Sequence, residues 1–234
     1  MSKLKHITFT GIDAKVDLDV LENLQKRYPI AEFGVLASES WHDLGNRFFN
    51  PSYIDSLDYR NFNLSVHLCG NLAREAVRGN IDPFRKWAHG FGYLFKRCQL
   101  NISNYKTNPE SFKYSGEIVT YFDEVILQQN SVDNCSLYLA SENTEHITVL
   151  FDSSGGKGID TPIKILESPR KIGYAGGINS ENVGDKLSSI FKNENVNEFW
   201  IDMESGIRTN DWFDIEKVVK VLENCESIIK KYDI

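Results

Sequence analysis

The sequence predicts a single (β/α)8 barrel, on three observations. Short β-rich apolar runs recur along the 234 residues, and each is followed by a helical pattern, giving eight units. The alternation is strict, as parallel strands joined by helical crossovers require. The length is that of one such barrel. An open doubly wound sheet accepts the same alternation. No G-x-G-x-x-G follows the first run, however, and eight units in this length favour closure. No linker, repeat or low-complexity stretch marks a second domain, so residues 1–234 read as one domain.

The first run is Ile7-Thr8-Phe9-Thr10. Leu18, Leu21 and Leu24 then keep helix spacing as far as Tyr28-Pro29, where the proline ends the helix. The second run, Phe33 to Ala37, leads into a long polar segment from Ser38 to Asn50, after which Pro51 can open a helix in its first turn. The third, Leu64 to Leu68, precedes helical pieces from Asn71 to Ala88. The fourth, Cys98 to Ile102, precedes a helix around Glu110 to Tyr121. The fifth, Glu124 to Gln128, precedes a helix from about Val132 to Ser141. The sixth, Ile147 to Phe151, leads to a glycine-rich loop and a short helix near Ile163 to Glu167. The seventh, Lys171 to Ala175, precedes a helix from Glu181 to Phe191. The eighth, Glu198 to Asp202, precedes a strongly amphipathic helix from Asp214 to Lys231.

Composition narrows the function classes. A net charge of −7 argues against nucleic acid or an anionic membrane as the main partner. An anionic ligand then needs a local site. No apolar leader opens the chain and no window of 18 apolar residues occurs, so a cytoplasmic protein is expected. Cys69, Cys98, Cys135 and Cys225 are scattered, which fits reduced thiols. No metal-ligand spacing and no cofactor motif is present, so neither is expected.

In such a barrel the ligand lies at the C-terminal ends of the strands. Strand seven ends in Ala175-Gly176-Gly177-Ile178-Asn179, where Gly176 and Gly177 let backbone N–H groups approach an anion. The helix after it, capped near Asn179 or Ser180, points its positive end the same way. Strand eight ends in Asp202-Met203-Glu204-Ser205-Gly206-Ile207, where Ser205 offers a hydroxyl and Gly206 an N–H at a short extra helix. Two such loops after strands seven and eight predict a phosphate site. Tight turns alone would also account for the glycines.

Strand six ends in Asp152, followed by Gly155, Gly156, Lys157 and Gly158. A carboxyl emerging from an apolar strand into a site mouth suits general acid or base work. The glycines suit a loop folding over a ligand, with Lys157 in reach of an anion. Asp202 is a second strand-end acid. Each aspartate has a structural alternative as a cap or lip bond. His67 and Cys69 share one face of strand three, so the thiol is a candidate base or nucleophile beside an imidazole. Buried packing is the commoner role for both. In the long second loop, Arg47 can pair with a carboxylate or phosphate, and Trp41 and Phe48 can close over an apolar ring. His42 and Asp43 do not make a metal site.

These motifs resemble the phosphoribosylanthranilate isomerase family, most clearly in the C-terminal half. Leu150-Phe151-Asp152-Ser153 with Gly155-Gly156-Lys157-Gly158 is similar to its strand-six acid and glycine loop. Ala175 to Val183 is similar to its strand-seven phosphate motif, and Asp202 to Ile207 to its strand-eight motif. Val66 to Gly70 and Arg47 to Pro51 resemble its strand-three and strand-two segments. The resemblance implies a barrel in tryptophan biosynthesis that performs an Amadori rearrangement of an aminoaldose to an aminoketose. Asp152 then matches the general acid. The family's base is a strand-one cysteine, and here Thr10 stands in its place, with Thr8 where a basic residue is usual. Threonine is a poor base without an activating partner, so Cys69 or Asp202 is the candidate replacement.

The leading expectation is an isomerase relative acting on a phosphorylated sugar derivative, with the family's substrate and a diverged one both open. The alternative is a non-catalytic descendant that keeps the phosphate grip. A lyase or aldolase ranks last, because no strand ends in a lysine suited to a Schiff base. A small phosphorylated molecule is the expected partner, with monomer and homodimer both open.

Overall fold

The β-branched and aromatic runs form eight strands: β1 (Leu4–Thr10), β2 (Ala31–Ala37), β3 (Leu64–Leu68), β4 (Arg97–Leu100), β5 (Glu124–Gln129), β6 (Ile147–Asp152), β7 (Ile172–Ala175) and β8 (Phe199–Met203). They are seen in a computed structural model that describes residues 3–102, 116–139, 146–166, 168 and 170–232. Each strand pairs in parallel with the next, and β8 pairs with β1, so the sheet closes in chain order. The barrel expected from the alternation is therefore borne out.

Between the strands lie α1 (Leu18–Arg27), α2 (Asp55–Asp58), α3 (Gly70–Val77), α4 (Asp82–Trp87), α5 (Gly116–Tyr121), α6 (Val132–Leu139), α7 (Val183–Phe191) and α8 (Ile215–Tyr232). Local chemistry sets their ends. Asp17 caps α1 by accepting from the amides of Asp19 and Val20 at 2.9 and 3.3 Å, and the helix stops before Pro29. Along α8, Val218, Val221, Leu222 and Cys225 are buried at helix spacing. The main core lies between the outer face of the strands and these helices, with Phe9, Phe33, Val66, Leu187 and Val218 all sealed from solvent. All four cysteines are free thiols.

The barrel interior is layered. At the N-terminal end of the strands Arg97 donates to Glu32 at 2.7 Å and to Glu124 at 2.9 Å, and Lys171 pairs with Glu124 as well. Thr8 and Thr148 donate to the same two carboxylates. Burial is the largest single effect and pushes both carboxyls up, but the charges and hydrogen bonds around them, Arg97 foremost, together outweigh it, and Glu124 settles at about 2. Ile126, Leu150, Ala175 and Trp200 form an apolar layer above. Arg97 lies over the Trp200 ring, 4.7 Å from its centroid.

Several local expectations are corrected. Residues 159–166 form no helix, and Glu167 lies outside the described residues. Pro162 removes an amide there, and Lys186 captures the Thr161 carbonyl. After Pro51 the chain makes a 3-10 turn (Pro51–Tyr53) and only then the single turn α2. The long second loop is pinned back, because Phe49 donates to the Leu36 carbonyl at 3.1 Å. The parts of the fourth and fifth helices expected over residues 110–115 and 140–141 lie outside the described residues. Between the last 3-10 turn (Ser205–Ile207) and α8 stands an unforeseen hairpin, β9 (Arg208–Thr209) with β10 (Trp212–Phe213). Its two-residue turn has φ of 51° at Asn210 and 62° at Asp211, the left-handed pair that such hairpins use. Among the described residues no helix is long and apolar enough to cross a membrane.

Candidate active site at the C-terminal mouth

A pocket opens at the C-terminal ends of the strands, where closure of the barrel gathers side chains from β3 to β8. Of the residues singled out in the sequence, His67, Asp152, Gly156, Gly158, Gly176, Gly177, Asp202, Ser205 and Gly206 line it. Thr10 sits directly beneath, bonded to Asp202. Arg47, Cys69 and Gly155 are not part of the lining, and neither is the exposed Lys157. His42 and Asp43 pair with each other on the exposed second loop, at 3.1 Å.

The glycine loops touch one another closely. At Gly177, with φ of 60°, a Cβ would lie 2.3 Å from the Asp160 nitrogen. At Gly206 a Cβ would lie 2.0 Å from the Ile178 carbonyl oxygen. Neither position admits a side chain, because backbone stands in the way. The loop after β6 therefore packs on the loop after β7, and that one on the loop after β8. Among the described residues no acceptor pairs with the amides of Gly177 or Gly206. Ahead of α7, Asn179 accepts from the amides of Glu181 and Asn182 at 2.8 and 3.1 Å, capping the turn that leads into the helix.

Lys186 of α7 fastens this arrangement and was not anticipated. Its ammonium donates to the Thr161 carbonyl at 2.8 Å and the Gly176 carbonyl at 2.9 Å, and pairs with Asp160 at 2.7 Å. A Lys186→Met protein is expected to lose about 1–3 kcal/mol of stability. Chemical denaturation measures the loss.

Asp152 is buried and held by four donors. Gln128 donates to Oδ2 at 2.8 Å and the Gly156 amide to the same oxygen at 2.6 Å. The Ser154 amide and hydroxyl donate to Oδ1 at 3.0 and 2.7 Å. Asp202 differs. It is also buried, but among the described residues only the Thr10 hydroxyl donates to it, at 2.6 Å. Burial pushes the Asp202 carboxyl up to about 7, despite that bond, and the charges of Glu204 and Asp152 add to the rise. A carboxyl near neutrality can both give and take a proton.

His67 points into the barrel, and its Nε2 lies 3.3 Å from the Ser65 hydroxyl and 3.5 Å from that of Thr10. Burial lowers it to about 4, so the ring is neutral. Cys69 does not meet that ring. Its thiol faces the His67 carbonyl at 3.8 Å and accepts from the Asn101 amide at 3.1 Å. Burial pushes it up to about 12, the reverse of an activated thiolate. Arg47 reaches across the rim to Glu204 and Asp211. Gln128, Glu204 and Asn101 were not singled out in the sequence. The signal available was their polarity at strand ends.

Comparison with known proteins places this geometry. No curated protein matches the sequence. The chain superposes on the phosphoribosyl anthranilate isomerase from Thermus thermophilus with a TM-score of 0.63 at 16% identity, covering 95% of this chain and 99% of that one. N-(5'-phosphoribosyl)anthranilate isomerase from Pyrococcus furiosus gives 0.58 at 13%, covering 95% and 98%. A phosphoribosyl anthranilate isomerase solved with reduced 1-(o-carboxyphenylamino)-1-deoxyribulose 5-phosphate gives 0.58 at 14%, covering 96% and 100%. At such identities the likeness establishes a shared fold. Residues 119–224 also match the model of the N-(5'phosphoribosyl)anthranilate isomerase family, and they carry β6, β7, β8 and their loops. The resemblance to the phosphoribosylanthranilate isomerase family that those three motifs carry is thereby borne out.

Proposed function

We propose that this protein is an isomerase of the Amadori type, converting a phosphorylated aldose derivative to its ketose isomer. Asp152 and Asp202 carry the proton, while the amides at Gly177 and Gly206 and the Ser205 hydroxyl hold the phosphate. One observation carries the reading: two buried carboxyls, on β6 and β8, face one pocket together with those glycine loops. The rearrangement is internally balanced. The hydrogen lost from C2 is made up at C1, and no oxidant or reductant is consumed. Asp202, sparsely bonded, is the base, and Thr10 positions it by donating to one oxygen. Cys69 is set aside on its raised thiol and its bond to Asn101. The protein works in the cytoplasm without a resident cofactor, on a small phosphorylated molecule.

Thermal-shift titration with inorganic phosphate and ribose 5-phosphate tests the grip, and incorporation of solvent deuterium into the sugar tests the chemistry. Asp152→Asn is expected to keep phosphate stabilisation and lose turnover at least about a hundredfold. The second reading, a non-catalytic binder, draws on the Thr10 position and on the four donors that occupy the lone pairs of Asp152. It is the correct one if ligands stabilise the fold without any deuterium exchange.

A further inference from the structure

One side of the mouth is closed by a clamp of charges. Arg47, from the loop after β2, donates to Glu204 Oε1 at 2.7 Å and through Nε to Asp211 Oδ1 at 3.1 Å, with a further bond from its second terminal nitrogen to Asp211. Asp211 sits in the turn of the β9–β10 hairpin. Arg208 of that hairpin donates to the Gly11 carbonyl at 2.6 Å and to Asp13 at 3.0 Å, and it also donates to the Asp211 carbonyl at 2.8 Å. The clamp has two faces. Glu204 belongs to the pocket lining and Arg47 does not, so the clamp meets the pocket through its acidic member.

The rest of the lining agrees with this polarity. Asp152, Asp202 and Glu204 all contribute, and among the described residues no lysine or arginine does. Neutral amides from Gln99, Asn101 and Gln128 complete the wall. A phosphate is served by backbone amides at the far side. A second anion on the same ligand meets like charge instead, and it gains Arg47 only by displacing two carboxylates from it.

We infer that Glu204 determines specificity: it selects a phosphate ester whose other end is uncharged and hydroxyl-bearing, and excludes one that carries a carboxylate there. The inference rests on the phosphate reading of the glycine loops. It assigns a substrate class, an uncharged sugar phosphate, as distinct from a carboxylated one.

Calorimetric titration with two ligands of equal length tests it. Ribulose 5-phosphate ends in a hydroxymethyl group, and 5-phosphoribonate ends in a carboxylate. The protein is expected to bind ribulose 5-phosphate at least about tenfold more tightly. In Glu204→Gln the preference should vanish or reverse, because Arg47 is released on the pocket side. Asp211→Asn leaves the lining intact and keeps a residue type suited to φ of 62°. It should narrow the preference in the same direction by a smaller factor, which guards against a folding defect in the first variant. Equal binding of the two ligands, or a preference that survives Glu204→Gln, overturns the inference while leaving the phosphate grip standing. If inorganic phosphate and both esters all fail to bind, the phosphate reading falls first and this inference with it.

Discussion

Replacing Arg97 with leucine is expected to lower the unfolding free energy by about 3–5 kcal/mol, as measured by urea denaturation. Arg97 is buried inside the barrel and bridges Glu32 and Glu124. Removing it leaves two carboxylates in a closed interior, with Lys171 still paired to Glu124. A buried charge without a partner costs more than the intact pair contributes. The penalty should also depend on pH in a defined direction. Glu124 is held at about 2 against an ordinary 4.5, so its contribution is present above about pH 4.5 and is lost as pH falls through about 2. The gap between wild type and Arg97→Leu should therefore shrink across that window. Combining Arg97→Leu with Glu32→Gln and Glu124→Gln is expected to recover part of the loss. Equal stability of Arg97→Leu and wild type at neutral pH would remove the ion network as a source of stability.

Asp202→Asn is expected to cut turnover by about 10²–10⁴-fold while preserving phosphate-induced stabilisation. The carboxyl of Asp202 lies near 7 in the folded chain against an ordinary 3.8. The activity of the wild type should therefore climb with pH up to about 7, as the base form is filled. Stability should run the other way. A group whose value is raised on folding contributes below its unfolded value, and that contribution fades as pH rises through the folded one. Between about pH 4 and pH 7 the wild type is expected to lose stability relative to Asp202→Asn, with the difference levelling off above. Melting temperatures across that range, in parallel for the two proteins, read this out. Parallel curves would mean that Asp202 stays ionised throughout and is not tuned for proton transfer.

The barrel was legible because each strand is a local apolar run and each helix a local pattern, and closure follows from counting them. The strand-end acids Asp152 and Asp202 and the paired glycines were legible for the same reason, since a parallel barrel brings strand C-termini to one rim. The rest depends on contacts between distant residues. Glu32, Arg97 and Glu124 sit at inward positions of strands that otherwise read as apolar, and only closure shows that they meet. Lys186 lies on a helix whose neighbours Val183, Leu187 and Ile190 are buried, yet a lysine alone gives no sign that it reaches two carbonyls. The β9–β10 strands, two residues each, are too short to show a period. The turn residues Asn210 and Asp211 were the available signal. For Cys69 the alternation with His67 was a sound premise, but it did not reveal that Asn101 rather than the imidazole meets the sulfur.

The hairpin after β8 has a consequence for how such a protein can change. Asp13 accepts from Arg208 and from the Phe213 amide, at 3.0 and 2.7 Å, while Asp211 holds Arg47. Three rim segments that arise from opposite ends of the chain are thus riveted into one part. A lineage descending from this protein and acquiring a new ligand preference through position 204 would have to find a new setting for the arginine at 47 and the aspartate at 211 as well. Those three positions are expected to drift as a set.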